Sequence, residues 1–374
     1  MKGELSLVTG GAGFLGAHLV DRLLARGDRV RVLDDLLPQA HPTGTARFLS
    51  AQAELLVGDL RDRAMVDRAL EGVSVVFHLG GMVGNGQSME EIRRYTDVNA
   101  VGTATLLEAM VARRAQFRRL VVASSMVVYG DGAYRCPEHG SLARVLRPPE
   151  RLRRRCWEPV CPACAREVEA VPTGEEQALH PTSVYGVSKL AQEQLALCVA
   201  RAYRLPAIAL RYLNLYGSRQ ALGNPYTGIC ALIAARLLNG RRPLIFEDGL
   251  QRRDLVHVSD AVEANLCAEA APETACYQAY NVGTGGSVTV LELARLLGRL
   301  LGRPLEPEIP GEYREGDIRH CFADVSRARE QLGFRATRTL ADGAAELARW
   351  ASSERPTDRT DATNQALRER GLIR

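Results

Sequence analysis

The stretch TGGAGFLG, residues 9–16, places Gly10, Gly13 and Gly16 at intervals of three, directly after the apolar run LSLVT and at the start of the helical pattern GFLGAHLVDRLLARG. That spacing serves three purposes: a tight turn, a close approach of backbone to a pyrophosphate, and close packing of helix on strand. The helix start then offers free N–H groups and the positive end of its dipole to phosphates. Asp34 ends the next apolar run, 18 residues after Gly16. A carboxylate there accepts hydrogen bonds from a ribose diol and repels a 2′-phosphate. No basic residue stands in the next few positions, so the pattern predicts NAD rather than NADP.

The surrounding chain fits that start. Runs at 5–10, 29–35, 53–59, 73–80 and 117–125 read as strands, and helical periodicity lies between them. The alternation returns with a helix over 186–203, a strand over 205–214, a helix over 227–239, strands at 243–247 and 279–285, and a helix over 288–302. Strand–helix alternation predicts a parallel sheet wrapped by helices. With the glycine-rich turn it reads as a doubly wound sheet of the Rossmann type, followed by a smaller C-terminal α/β domain. The expected division is 1–213 for the dinucleotide domain and 214–350 for the second, with some segments returning to the first. Residues 351–374 are polar and read as a loose tail with one short helix.

Residues 133–176 break the alternation with a segment rich in Cys, Pro and Arg. A connection that long needs something to organise it. CPEH (136–139) and CPAC (161–164) supply Cys136, His139, Cys161 and Cys164 as two short pairs, the spacing of a closed tetrahedral zinc site, with Cys156 as an alternative ligand. Free thiols in an open loop are the competing reading. The run RPPERLRRRC (147–156) reads either as a solvated basic loop or as a cover that adds an arginine to a nucleotide pocket. Cys198, Cys230, Cys267, Cys276 and Cys321 read as packed thiols.

Only two of the 48 Lys and Arg residues are lysines, Lys2 and Lys189. Lys189 stands four residues after Tyr185 in YGVSKLAQEQLALCVARAY, so the two share a helix face. An ammonium near a phenol stabilises phenolate, and a compact ammonium also bonds ribose hydroxyls better than a guanidinium does. The phenol could then exchange a proton with a sugar hydroxyl while hydride moves to or from a nicotinamide. Ser124 and Ser125, at the end of the fifth strand, are the candidate assisting hydroxyls.

These motifs, with VLDDL, GDL (58–60), VFHLGG, DVNAVGT, SSMVVYG, RYLNLYG, QRRDLVHVSDAV, YNVGTG and REGDIRH, resemble the extended short-chain dehydrogenase/reductase family, and within it the nucleotide-sugar 4-epimerases. The resemblance runs from about residue 4 to 335 in family order. It implies catalytic Tyr185, Lys189 and Ser125, the serine being chosen because it lies four residues before Tyr129. It implies a cofactor site with Gly10, Gly13, Phe14, Leu15, Gly16, Asp34, Asp59, Leu60, Leu79 and Asn99, where Asp59 meets the adenine. Asn214, Arg253, Arg314 and Asp317 would bind the nucleotide diphosphate of the substrate, so the resemblance implies that the smaller C-terminal α/β domain is a substrate-binding domain.

Met126 and Val127 stand where related dehydratases and decarboxylases carry acidic residues. Neither can move a proton, which favours redox-neutral epimerisation over loss of water. The insertion, GMVGNGQSM and NPYTGI resemble the branch acting on dTDP-linked 6-deoxyhexoses such as rhamnose. Gly80, Gly81 and Leu213 depart from common family residues and bear on pocket shape. The resemblance also implies a homodimer through the helices near 99–114 and 186–203. A net reductase or dehydrogenase on a nucleotide sugar, or a silent NAD sensor, are the competing functions. The net charge of +4 and a basic run without interleaved aromatics argue against nucleic acid. The N-terminus runs straight into a strand and no apolar run reaches membrane length, so no membrane partner and a cytoplasmic, reduced-thiol location are expected.

Overall fold

A computed structural model describes residues 3–226 and 228–374. Seven strands form one fully parallel sheet: β1 (Leu5–Thr9), β2 (Arg29–Asp34), β3 (Glu54–Val57), β4 (Val75–His78), β5 (Arg119–Ser125), β6 (Ala207–Tyr212) and β7 (Gln278–Val282), in the order β7-β6-β5-β4-β1-β2-β3. Alternate residues feed opposite faces. Val8, Val32, Phe77 and Val121 enter one core, while Leu7, Leu33, Val76 and Val122 enter the other. Both faces are therefore apolar, as a sheet sandwiched between helices requires.

On one side α1 (Phe14–Arg26) lies beside α4 (Val258–Ala270). On the other, α2 (Gly102–Ala112) lies beside α3 (Val184–Tyr203). The chain builds β1 to β3 in one direction, then returns to place β4 against the free edge of β1. The crevice of such a sheet opens where the order reverses, at the C-terminal ends of β1 and β4.

The second lobe packs helices Ile229–Leu238, Val290–Leu300 and Leu340–Ser353 around Ile233, Leu237, Leu293, Leu297 and Leu347. Thr289 and Glu292 close the start of the middle helix with a reciprocal capping box. Two expectations need correction. Residues 243–247 do not form a strand: Leu244 makes one isolated bridge to Glu308, and Glu247 turns the chain with a left-handed φ of 56°. The polar tail is not loose. It forms the helix Thr360–Glu369, buries Asn364, Leu367 and Ile373, and bridges Ile373 to Arg314. Leu367 and Ile373 are its buried anchors, which a reading of average polarity overlooks.

The insertion is also ordered. Strands Ala133–Cys136, Gly140–Leu142 and Glu169–Val171 form an antiparallel sheet, and a short helix spans Pro149–Arg153.

Candidate active site

One cleft of about 1210 Å³ runs from the glycine-rich turn to the second lobe. At its base the backbone of Gly10 has φ +68°, and a Cβ there would lie 2.8 Å from Gly80 Cα. A Cβ on Gly16 would lie 2.3 Å from the Gly10 carbonyl oxygen. These contacts leave no room for any side chain between β1, the β4 loop and α1. Helix α1 starts after Gly13 with no side-chain cap and no acidic residue in its first turn. Its first N–H groups therefore remain available for an anion. Asp34 accepts from the N–H groups of Ala12 (3.0 Å) and Leu36 (3.0 Å). Burial raises its carboxyl pKa, and the Leu36 N–H and nearby His41 oppose that rise. Phe14, Leu15, Asp59, Leu60 and Leu79 line the same end of the cleft. Arg61 pairs with Asp59 at 2.5 Å and holds its carboxyl below the usual value. This end fits a dinucleotide in shape and in donors.

Asn99 does not reach the cleft surface. It is fully buried in a wide turn of helix, Asp97–Val101, and accepts from Met82 N–H at 2.7 Å while donating to Met82 O and Ser188 Oγ. Its place is under the loop that follows β4, which it pins to α3.

Ser125, Tyr185 and Lys189 all line the cleft floor. Tyr185 enters on the first turn of α3, which Ser183 caps by accepting from Gly186 N–H at 3.1 Å. Ser88 fixes the same turn by accepting the Tyr185 N–H at 3.0 Å. The Tyr185 ring stands edge-on to Tyr95, centroids 6.2 Å apart. Burial pushes the phenol up to about 12, while Ser125 hydroxyl pulls the other way. Lys189 is buried, and burial pulls its ammonium down to about 7 against the supporting charge of Glu193. Its Nζ donates to Ala123 O at 2.5 Å and to Gln192 Oε1. Of the two candidate serines, both of which line the cleft, Ser124 commits its hydroxyl to Glu193 Oε2 at 2.6 Å.

A buried relay extends this group. Gln192 Nε2 lies 2.8 Å from His78 Nε2, and His78 Nδ1 lies 2.8 Å from Thr9 Oγ1. Burial, and then Lys189, push the imidazole down to about 3, so it is neutral. Its Nε2 also lies 2.9 Å from Thr103 Oγ1. Gln192 and Glu193 belong to none of the motifs that carry the family resemblance; their signal in the sequence is their position three and four residues after Lys189, offsets that share its helix face.

At the far end, Asn214, Arg253, Arg314 and Asp317 line the same cleft. Arg253 is aimed by the carbonyls of Ile318 (2.5 Å) and Arg319 (2.9 Å). Arg314 lies over the Phe246 ring at 4.8 Å and 3.7 Å from Asp317. Among the described residues, Asn214 Oδ1, Gln220 Oε1, Gln251 Oε1 and Arg314 Nε are buried without a hydrogen-bond partner. A polar ligand in the cleft would give these groups the partners they lack. The tail helix adds Thr363, Asn364 and Leu367 to this wall, which its polar sequence did not suggest.

The basic run of the insertion does not reach the cleft. Arg151 pairs with Glu167, Arg153 with Glu150, and Arg155 donates to Pro310 O. The idea that residues 151–155 add an arginine to the pocket is therefore corrected. Arg151 and Arg153 find carboxylate partners outside it, and none of 151–155 lines the cleft. Arg147 instead donates to Asp317 O at 2.9 Å and pairs with Glu247, behind the cleft wall.

A glycine-lined phosphate turn, an acid at the end of β2 and a buried Tyr–Lys face define a nicotinamide-dependent enzyme of the extended short-chain type. Residues 6–150 and 161–283 match the NAD dependent epimerase/dehydratase family, and the chain belongs to it. A dTDP-L-rhamnose 4-epimerase of Burkholderia thailandensis is 34% identical over 362 residues, 95% of this chain and 96% of that protein. The solved UDP-glucose 4-epimerase of Thermotoga maritima with UDP-glucose has a TM-score of 0.76 and 30% identity, over 92% of this chain and 98% of that one. The Thermus thermophilus UDP-glucose 4-epimerase in complex with NAD has a TM-score of 0.73 and 28% identity, over 93% and 98%. No helix among the described residues is long and apolar enough to cross a membrane.

Proposed function

We propose that this protein inverts C4 of a nucleotide-linked hexose without net redox change, and that the sugar is a dTDP-linked 6-deoxyhexose. The observation that carries the reaction is the convergence of Ser125, Tyr185 and Lys189 on one cleft floor, followed by Met126 and Val127, where an acid or base would otherwise stand. Bound NAD supplies a hydride acceptor and donor for C4. Tyr185 takes the proton of the 4-hydroxyl through its phenolate and returns it once the 4-keto sugar has presented its other face. Ser125 bonds the same oxygen in both states. Lys189 holds the nicotinamide ribose and lowers the phenol pKa by its charge. Asn214, Arg253, Arg314 and Asp317 bind the diphosphate and nucleotide, with the arginines as bidentate donors.

The 6-deoxy assignment draws on the 34% identical relative named for dTDP-L-rhamnose. It also draws on the apolar side chains of Met82, Val83 and Met126 among those lining the cleft. A panel of dTDP-, UDP- and GDP-sugars, with no added reductant, tests it by mass spectrometry and NMR of the products. The expected result is a C4 epimer from a dTDP-6-deoxyhexose with only catalytic NAD. Turnover confined to UDP-hexoses would overturn the substrate, and stoichiometric use of nicotinamide would overturn the reaction.

Lys189→Met is expected to move the acid limb of kcat upward by about one pH unit or more, because the phenolate loses a neighbouring cation. A limb at the wild-type pH would remove that role from Lys189. We also propose a homodimer across α2 and α3, where Val101, Val187 and Leu195 are exposed apolar residues. Sedimentation as a monomer at micromolar concentration would contradict it.

A further inference from the structure

We propose that Cys136, His139, Cys161 and Cys164 bind one structural zinc ion that fixes the insertion against the second lobe. The two ligand pairs sit at the tips of two facing hairpins. Pairing of Cys136 with Gly140 closes the first, and pairing of Val160 with Glu167 closes the second. In the second, Ala165 takes a left-handed φ of 57° and its N–H bonds Cys161 O at 2.9 Å, which turns both sulfurs inward. The four donor atoms all lie within 4.8 Å of one another. Cys136 Sγ is 3.5 Å from His139 Nδ1 and 3.7 Å from Cys164 Sγ, and Cys161 Sγ is 3.5 Å from His139 Nδ1.

Those distances are informative. Zinc bonds of about 2.3 Å to sulfur and about 2.05 Å to nitrogen, at tetrahedral angles, put two sulfurs about 3.8 Å apart and a sulfur and nitrogen about 3.6 Å apart. The three observed edges agree with that tetrahedron. A disulfide would need sulfurs at about 2.05 Å, and all nine cysteines are free. Three thiolates and an imidazole around a tetrahedron favour zinc over metals that demand oxygen ligands or planar geometry. Cys156 is exposed and stands apart, with its thiol toward Arg154 O. Four protein ligands leave no open position, and no insertion residue lines the cleft, so the ion is structural.

The insertion needs such a tie. Its own core beside the site is Tyr134, Cys136, Cys161 and Val168, too small to order a segment of this length through apolar burial alone. The consequence reaches the substrate end. Glu158, three residues before Cys161, accepts from Arg319 at 2.5 Å and lies 2.9 Å from His320 Nε2. Trp157 packs on Tyr313. Arg319 is fully buried and also donates to Glu247 and Asp248. The carbonyls of Ile318 and Arg319 aim Arg253 into the cleft. Zinc thus acts as a positioning element for Arg253, a role that rests on the nucleotide-sugar reading above.

Elemental analysis of the purified full chain, grown with zinc and dialysed, is expected to find about one zinc per chain. Cobalt(II) in its place is expected to give the strong visible bands of tetrahedral thiolate coordination. Cys161→Ser and Cys164→Ser should lose the metal, and Cys156→Ser should keep it. If the serine variants do not fold, titrating folded wild type with a mercurial should release one zinc as three thiols react. Metal-depleted protein should retain NAD, with KM for the nucleotide sugar raised about tenfold, the loss of one well-placed charged hydrogen bond. Wild type that neither carries zinc nor binds added Zn²⁺ would overturn the site, as would wild-type zinc content in Cys161→Ser. An unchanged KM in metal-free protein would overturn the positioning role while leaving the site.

Discussion

Tyr185→Phe is expected to retain bound NAD and to lower kcat by about 10²–10⁴-fold, with KM changed little. The substitution removes one oxygen. The ring still stands edge-on to Tyr95, and the N–H of residue 185 still donates to Ser88 Oγ. The first turn of α3, and with it Lys189, therefore keeps its place. What is lost is the group proposed to take the proton from the sugar hydroxyl and give it back. Steady-state kinetics with the epimer quantified by NMR, alongside NAD content of the purified variant, separates this outcome from misfolding. A variant with wild-type kcat would show that another group moves the proton. The arrangement also explains why the two side chains must be considered together. In the protein alone burial raises the phenol and lowers the ammonium, so the site opposes charge on either. A bound NAD would bring a positive ring that favours phenolate, so Tyr185 would be readied for proton transfer only in the occupied site.

Glu193→Ala is expected to destabilise the protein by about 3–5 kcal/mol, the cost of stranding a buried charge. The Glu193 side chain is fully buried and receives Arg211 through two bonds, 2.9 Å and 2.6 Å, as well as the Ser124 hydroxyl. Arg211 is nearly as buried and also donates to Tyr129 hydroxyl and Glu175 O. Without the carboxylate these remaining neutral acceptors cannot compensate the guanidinium. The same substitution withdraws the charge that supports the Lys189 ammonium, so activity should fall along with stability. Urea unfolding at fixed pH measures the first effect, and a midpoint equal to wild type would show that Arg211 is not stranded by loss of the carboxylate.

Much of this architecture is readable from local pattern. The parallel strands announce themselves because residues buried on both faces make short continuous apolar runs, as in LSLVT and LVVASS. The phosphate turn is readable because Gly10 and Gly16 have no steric alternative: backbone or carbonyl occupies the space of a Cβ. Tyr185 and Lys189 are legible because four residues make one helical turn. What escaped has a common physical cause, dependence on distant partners. Asn99 looks like a cofactor ligand in its motif, yet its amide is consumed by Met82 and Ser188. The tail looks loose because its burial depends on contacts such as the Arg314–Ile373 bridge, far away in sequence. The reading of 151–155 as adding an arginine to the nucleotide pocket fails once Glu167 and Glu150 are placed beside Arg151 and Arg153.

The central claim is that hydride leaves C4 and returns to the same carbon while Tyr185 holds and restores the hydroxyl proton. A dTDP-6-deoxyhexose carrying deuterium at C4, turned over in ordinary water with only the NAD that copurifies, measures this directly. The account predicts a C4-inverted product that keeps its deuterium at C4, with no net change in nicotinamide redox state. Deuterium replaced by solvent hydrogen at C4, or a permanent one-for-one reduction of NAD, would contradict it.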